Sequence, residues 1–307
     1  MAIAASEPVI AWGEHEGRRV ARVDGCDIVQ CDVCGFRHVL PLPDAVKLEQ
    51  AYRELYYSEE KPAFLVHAGE DQDWAQLAQT DRLEIFESLL GRGRLLDIGS
   101  GPGFFLKAAQ ARGWQVLGVE PSRQAAAHAR TLGVDVVEGF FNAQTAGSLG
   151  VFDVVHLNNV LEHLPDPIGT LTLAREVLKQ GGLICVGVPN DFSPFQIAAR
   201  ASLGADEWWI VPSHHLNYFD FASAAALLER LGFRVAERTT SFPMELFLLM
   251  GEDYTKNGAL GRTCHAKRKR IDQALEAAGL KEERRAFYRA LANAGMGREA
   301  VLIAVKS

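Results

Sequence analysis

From Arg94 to the end of the chain, short runs of leucine and β-branched residues alternate with longer stretches whose apolar positions recur every three or four residues. This alternation predicts βαβ units feeding a parallel sheet. Strands are expected at Leu95–Ile98, Val116–Val119, Val134–Val137, Val151–Leu157 and Leu183–Val188. Between them, helices are expected at Phe104–Arg112, at Arg123–Leu132 behind Ser122, and along "PIGTLTLAREVLKQGG". Gly113, Gly133 and Gly181 close them, glycine being the residue best suited to left-handed backbone past a helix end. After Pro189 a long loop leads to a helix at Ala222–Leu231 and a strand at Phe233–Thr240, then mainly helical sequence from Glu245 to Met296, and a last strand in "EAVLIAVKS".

The first 90 residues lack that rhythm. A short β-rich piece, "CDIVQCDVCGFRHVLPLP", precedes two helix-like stretches, Asp44–Tyr57 and Asp73–Leu90. The expected organisation is an appendage over 1–72, an α/β core over 73–242, a helical insertion or lid over 243–296 and a closing strand over 297–307.

A chain of 307 residues with 48% hydrophobic and 23% charged residues belongs with globular proteins. Its net charge of -7 offers no global attraction to a phosphate backbone or an anionic membrane. No run approaches the roughly 18 apolar residues a bilayer span requires, and no basic segment precedes a long apolar one, so a cytoplasmic protein is expected. Five cysteines, an odd number in a long chain, do not suggest a disulfide framework, and Cys185 reads as a small buried hydrophobe.

The chemistry begins at "LLDIGSGPGFFLKAAQARGWQVLGVEPS". Gly99, Gly101 and Gly103 follow a strand and open a helix, so backbone N–H groups face a ligand at close range. The dinucleotide fingerprint G-x-G-x-x-G needs glycine where this chain has Phe104, and Asp97 at the strand end would repel a pyrophosphate. A second acid, Glu120, ends the next strand, where a carboxylate can accept both hydroxyls of a ribose. A cationic group near the glycines and a ribose beside them describe S-adenosylmethionine.

These residues resemble the class I S-adenosylmethionine-dependent methyltransferases, specifically the methyltransferase-23-like group. "LLDIGSGPGFFL", "VLGVEPS", "FDVVHLNNVLEHLPDP" and "GGLICVGVPN" are similar to four of that family's motifs, in order, over about Leu83 to Arg238 and the last strand. The resemblance implies a Rossmann-like seven-stranded sheet, mostly parallel with an antiparallel last strand. It implies that Gly99 and Gly101 line the methionine moiety, with Ser100, Gly103 and Phe104 in the same turn. Glu120, followed by Pro121, would hold the ribose, Phe140, Phe141 and Asn142 would border the adenine, and Asn158 with Asn159 would approach the methionine end. Phe104 and Phe105 also suit a core position.

Methyl transfer from a sulfonium needs alignment, exclusion of water and, for some acceptors, a general base. Histidine suits that task near neutral pH, and His163, His214 and His215 lie on segments expected at the ligand-binding edge of the sheet. His163 could equally tie its turn to the "PSHHLNYF" loop. Tyr218, Trp208 and Trp209 either wall the acceptor pocket or belong to the core.

Cys31-x-x-Cys34-Gly is one knuckle of a zinc ribbon, with Cys26 and His38 nearby. Relatives with two Cys-x-x-Cys pairs differ from this chain, where "IAWGEHEGRRV" takes the place of the first pair and offers only His15. Either Cys26, Cys31, Cys34 and a histidine such as His38 bind zinc, or the knuckle is held by its hydrophobic neighbours. The run "HAKRKR", His265 to Arg270, reads as a solvated helix face beside "KEERR".

The expected activity is transfer of a methyl group from S-adenosylmethionine, leaving S-adenosylhomocysteine, to a small-molecule acceptor such as a sugar or nucleotide-linked sugar, on oxygen or carbon. Rival readings are an RNA- or protein-directed methyltransferase and a catalytically silent cofactor-binding module. A membrane partner is not expected and nucleic acid is disfavoured.

Overall fold

The computed structural model describes residues 9–43, 69–204 and 207–307. The helix-like stretch Asp44–Tyr57 lies outside the described residues. Four strands come first: β1 (Val9–Trp12), β2 (His15–Val23), β3 (Cys26–Cys31) and β4 (Arg37–Leu40), paired antiparallel in chain order. Asp24 and Gly25 join β2 to β3 with φ of 51° and 80°, the two left-handed residues that a tight hairpin turn matched to strand twist requires.

The core begins with α1 (Gln72–Leu90), β5 (Arg94–Ile98), α2 (Phe104–Ala111), β6 (Gln115–Glu120), α3 (Arg123–Thr131) and β7 (Val136–Glu138). It continues through α4 (Ala143–Leu149), β8 (Phe152–Asn158), α5 (Pro167–Val177) and β9 (Leu178–Pro189). α5 starts where the Asp166 side chain accepts the Gly169 N–H at 2.8 Å. It ends at Val177, four residues before the glycine expected to close it. Leu178 already pairs with Phe152 in β8, and Gly181, at φ 73°, sits in an irregular stretch of β9 that Lys179 secures to Asp153 at 2.7 Å.

After α6 (Pro194–Leu203), a two-residue strand β10 (Asn217–Tyr218) leaves the core and pairs with β4. The loop before α7 (Phe221–Arg230) therefore carries the fifth strand of the N-terminal sheet. β11 (Phe233–Thr239) and β12 (Glu299–Lys306) flank α8 (Glu245–Leu249), α9 (Gly258–Ala277) and α10 (Lys281–Asn293). Asn190 donates to the carbonyls of Gly295 and Gly297, fixing the turn before β12, and a Cβ on Gly297 would lie 1.7 Å from Thr240 Oγ1. Only a residue without a side chain fits there.

The large sheet has the order β11-β12-β9-β8-β5-β6-β7 and is parallel except for β12. Residues alternate between its faces: Leu96, Leu157 and Ile184 pack against one layer, Leu95, Val154 and Leu183 against the α1–α2 layer. Both faces are covered, which explains strands that read as continuous apolar runs. Among the described residues no helix is long and apolar enough to cross a membrane.

Candidate functional site

A cavity of about 800 Å³ opens at the C-terminal edge of β5 and β8 and extends beneath α1, α9 and α10. Its floor is the glycine turn. Gly99, Gly101 and Gly103 all have positive φ (70°, 52° and 85°), and Gly103 caps α2 in the left-handed conformation. A Cβ on Gly103 would lie 2.6 Å from that of Ala129, so the turn can pack on α3 only with glycine there.

Asp97 ends β5 directly beside His156 of β8, its partner in the parallel register. His156 donates from Nδ1 to Asp97 Oδ1 at 2.7 Å, and its Nε2 accepts from Arg82 of α1 at 3.3 Å. Arg82 also donates to Asn158 Oδ1 at 2.6 Å, and Phe105 stacks on the imidazole with centroids 4.0 Å apart. Burial lowers the His156 pKa despite Asp97, in keeping with a neutral ring that donates one way and accepts the other. The network holds the Asp97 carboxylate in one orientation under the turn.

Glu120, also buried, accepts the Gly101 N–H on Oε2 and the Ser122 N–H on Oε1, each at 2.8 Å. One lone pair on each oxygen thus braces the turn, leaving a second for a ligand hydroxyl. Burial pushes this carboxyl up to about 7, against the pull of its two N–H donors.

Glu162 and His163 occupy a single helical turn after β8, and their ligand atoms lie within 4.8 Å of those of His215. His163 donates from Nδ1 to the His214 carbonyl at 2.7 Å, placing its other ring nitrogen 3.7 Å from Glu162. The rings of His163 and His215 meet edge to face at 5.0 Å. The roof is made by the insertion, fastened to α1. Trp74 donates to Asp272 at 2.7 Å, Arg284 and Arg285 pair with Asp81, and Lys281 pairs with Glu84. Arg268 lies 4.8 Å over the Trp74 ring and donates to His265, which bonds Asp71.

A family profile described as "Methyltransferase domain" matches residues 71–238, more than half of the chain. The chain belongs to this methyltransferase family. A ubiquinone biosynthesis O-methyltransferase of Histophilus somni (strain 2336) is 31% identical over 146 residues, 44% of this chain and 60% of that protein. One of the same description from Cereibacter sphaeroides (strain ATCC 17029 / ATH 2.4.9) is 35% identical over 131 residues, 40% of this chain and 51% of that protein. The matches thus span less than two thirds of those relatives. Among solved structures, the plantazolicin methyltransferase BpumL in complex with SAH shares the fold with a TM-score of 0.51 at 15% identity, covering 85% of this chain and 94% of that one.

Within the methyltransferase domain, Asp97, Gly99, Ser100, Gly101 and Phe104 line the cavity floor, and Asn158 and Asn159 line its side. Gly103, Glu120, Pro121, Phe140, Phe141 and Asn142 stand outside its lining; Asn142 caps α4 by accepting the Thr145 N–H at 3.0 Å. Of the three candidate histidines, His163 and His215 line the cavity, whereas His214 contributes its backbone carbonyl to the site. Trp208, Trp209 and Tyr218 pack with Ile28, Val39 and Leu216 in the N-terminal sheet's own core, outside the lining of the cavity. His156 and Arg82 were not anticipated. A lone histidine in an apolar strand reads as core, and the available signal was its place in β8, directly opposite the acid of β5.

The knuckle gathers the expected ligands except Cys26. Cys31, Cys34 and His38 come together with His15, whereas Cys26 pairs with Val23 at the other end of β3. The basic run is only partly a solvated face: Lys267 and Arg270 are exposed, whereas His265 and Lys269 bind Asp71 and Arg268 enters the roof.

Proposed function

We propose that this chain transfers a methyl group from S-adenosylmethionine to a hydroxyl oxygen of a small-molecule acceptor. The observation that carries the reading is the glycine turn at the cavity floor, with the buried Asp97 lining the cavity and the buried Glu120 behind the turn, accepting the Gly101 N–H. The donor set fits the cofactor, since an acid held at the turn suits a cationic ligand and Glu120 retains acceptor capacity for ribose hydroxyls. Bound there, S-adenosylmethionine supplies a methyl group on a positively charged sulfur that is already a good leaving group.

The chain's remaining task is to align the acceptor, exclude water and take one proton. With the methyl group supplied by the bound cofactor, His163 would receive the acceptor's hydroxyl proton on the ring nitrogen that faces Glu162. The hydrogen bond to the His214 carbonyl fixes the His163 ring, and the adjacent Glu162 carboxylate stabilises the imidazolium. Oxygen as the acceptor atom is supported by the similarity to O-methyltransferases. A neighbouring imidazole, His215, sits where it can orient the hydroxyl.

The roof supports a negatively charged acceptor. Arg268 lines the cavity, burial lowers its pKa, and it makes no salt bridge to a described carboxylate. A nucleotide-linked sugar meets that requirement through its diphosphate. RNA as acceptor has less support because His265, Arg268 and Lys269 of the basic run are engaged within the fold. The test is transfer of a labelled methyl group from S-adenosylmethionine to a panel of phenols, catechols and nucleotide sugars. Labelled product lost in His163→Gln supports the reading, and transfer only to RNA or protein contradicts it.

A further inference from the structure

Outside the cavity, His15 opens β2, Cys31 ends β3, Cys34 lies in the next turn and His38 lies in β4, with ligand atoms all within 4.8 Å of one another. We propose that these four residues hold one zinc ion, and that the ion clamps the five-stranded sheet to the turn bearing Glu162 and His163. The inference does not depend on the methyl-transfer reading.

The spacing suits a tetrahedral ion. His15 Nδ1 lies 3.3 Å from Cys34 Sγ and 3.8 Å from Cys31 Sγ. A zinc ion at ordinary bond lengths to sulfur and nitrogen puts such atoms about 3.5 Å apart. His38 is oriented for ligation: it donates from Nδ1 to the Val39 carbonyl at 3.0 Å, leaving the lone pair on Nε2. That Nε2 is buried and has no hydrogen-bond partner among the described residues. Hydrogen bonds from His15 to the sulfurs would account for two thiols but leave this nitrogen unsatisfied; an ion answers both.

The supporting turn has the right build. The Cys34 N–H donates to Cys31 Sγ at 3.4 Å, and Gly35 turns the chain at φ 80° while its N–H bonds the Cys31 carbonyl at 3.0 Å. Arg230 of α7 donates to the Cys34 carbonyl at 2.8 Å and braces the turn from the core side. Gly17 faces Cys31, and a Cβ there would lie 2.0 Å from the Gln30 carbonyl oxygen, so glycine lets β2 bring His15 to the sulfurs. Cys26 is excluded by distance, roughly 16 Å from Cys31 along an extended strand.

The clamp follows from two short connections. His38 stands opposite Asn217 of β10, whose side chain donates to the Leu161 and Leu164 carbonyls at 2.8 and 2.7 Å. The Val39 N–H bonds the Leu216 carbonyl at 2.9 Å, and the Leu216 N–H bonds the Glu162 carbonyl at 2.7 Å. Fixing β4 therefore fixes the frame of the Glu162–His163 turn.

The test is elemental analysis of the full chain purified without chelator, followed by hydrogen exchange before and after zinc removal. About one equivalent of zinc per chain is expected, retained in Cys26→Ser and lost in Cys31→Ser and His15→Ala. Cobalt in place of zinc should give the visible bands of a tetrahedral site with thiolate charge transfer. Zinc below about a tenth of an equivalent in the wild-type protein overturns the site, and full zinc in a Cys31→Ser/Cys34→Ser double variant overturns the ligand assignment. Removing zinc should accelerate exchange over residues 161–164 and 216–218 more than over 95–98; no such difference overturns the clamp.

Discussion

The floor and the roof of the cavity are built differently. The floor comes from one short span, Asp97 to Ser122, in which two adjacent strands end in buried acids and backbone N–H groups bind the second acid. The roof joins α1 to helices nearly 200 residues later through Trp74–Asp272, Arg285–Asp81 and Lys281–Glu84. Local geometry leaves the floor little freedom, so it suits an invariant ligand. The roof is held by side-chain pairs that can be exchanged without disturbing a strand, which suits a variable one. The comparison predicts that floor variants act on cofactor affinity and roof variants on the acceptor.

The largest effect is expected between the two regions, at His163, the proposed proton acceptor. His163→Gln should lower kcat by at least about 100-fold while leaving the S-adenosylhomocysteine dissociation constant unchanged, as steady-state kinetics and calorimetry would measure. Equal loss of both would make His163 a binding or folding residue.

Beneath the floor, His156→Leu removes the group between two buried charges, Arg82 and Asp97. It should cost roughly 3 kcal/mol of folding stability, read as a lower denaturation midpoint. A change under about 0.5 kcal/mol would mean that Arg82 and Asp97 do not depend on the imidazole.

At the roof, Arg268→Met should raise KM about 10-fold for a negatively charged acceptor, leaving that of an uncharged analogue and the cofactor affinity in place. A uniform rise for both acceptors would assign Arg268 to packing on Trp74.

The smallest effect returns to the floor. The Glu120 carboxyl, raised by burial to about 7, is largely protonated in slightly acidic solution and loses acceptor capacity for ribose hydroxyls. Affinity for S-adenosylhomocysteine should therefore fall a few-fold as pH drops through about 7, a trend that Glu120→Gln abolishes. The linked stability term has the opposite sense. With the folded pKa above the ordinary 4.5, the folded state binds more protons than the unfolded one between those values, so Glu120 makes folding less favourable as pH rises through that window.

The same contrast explains what could be read from the sequence. The alternating runs, the glycines and the acids of β5 and β6 are local signals, and they led to the doubly covered sheet and the glycine turn at the cavity floor. Arg268 looked like one member of a basic run because its partner Trp74 lies far away in the chain. His156 carries no signal of its own in the sequence, because its meaning depends on strand register. β10, two residues long, has no periodicity to detect, yet it ties the N-terminal sheet to the turn of Glu162 and His163. Tryptophans 208 and 209 could not be assigned to core or cavity without that strand.

The most direct test of the central claim is calorimetric titration of the wild-type chain and Glu120→Ala with S-adenosylmethionine and S-adenosylhomocysteine, with NAD as control and thermal melts to verify folding. The account predicts micromolar binding of both sulfur ligands, none of NAD, and affinity weakened at least about 30-fold in the folded variant. Binding of NAD instead, or equal affinity in Glu120→Ala, would contradict it.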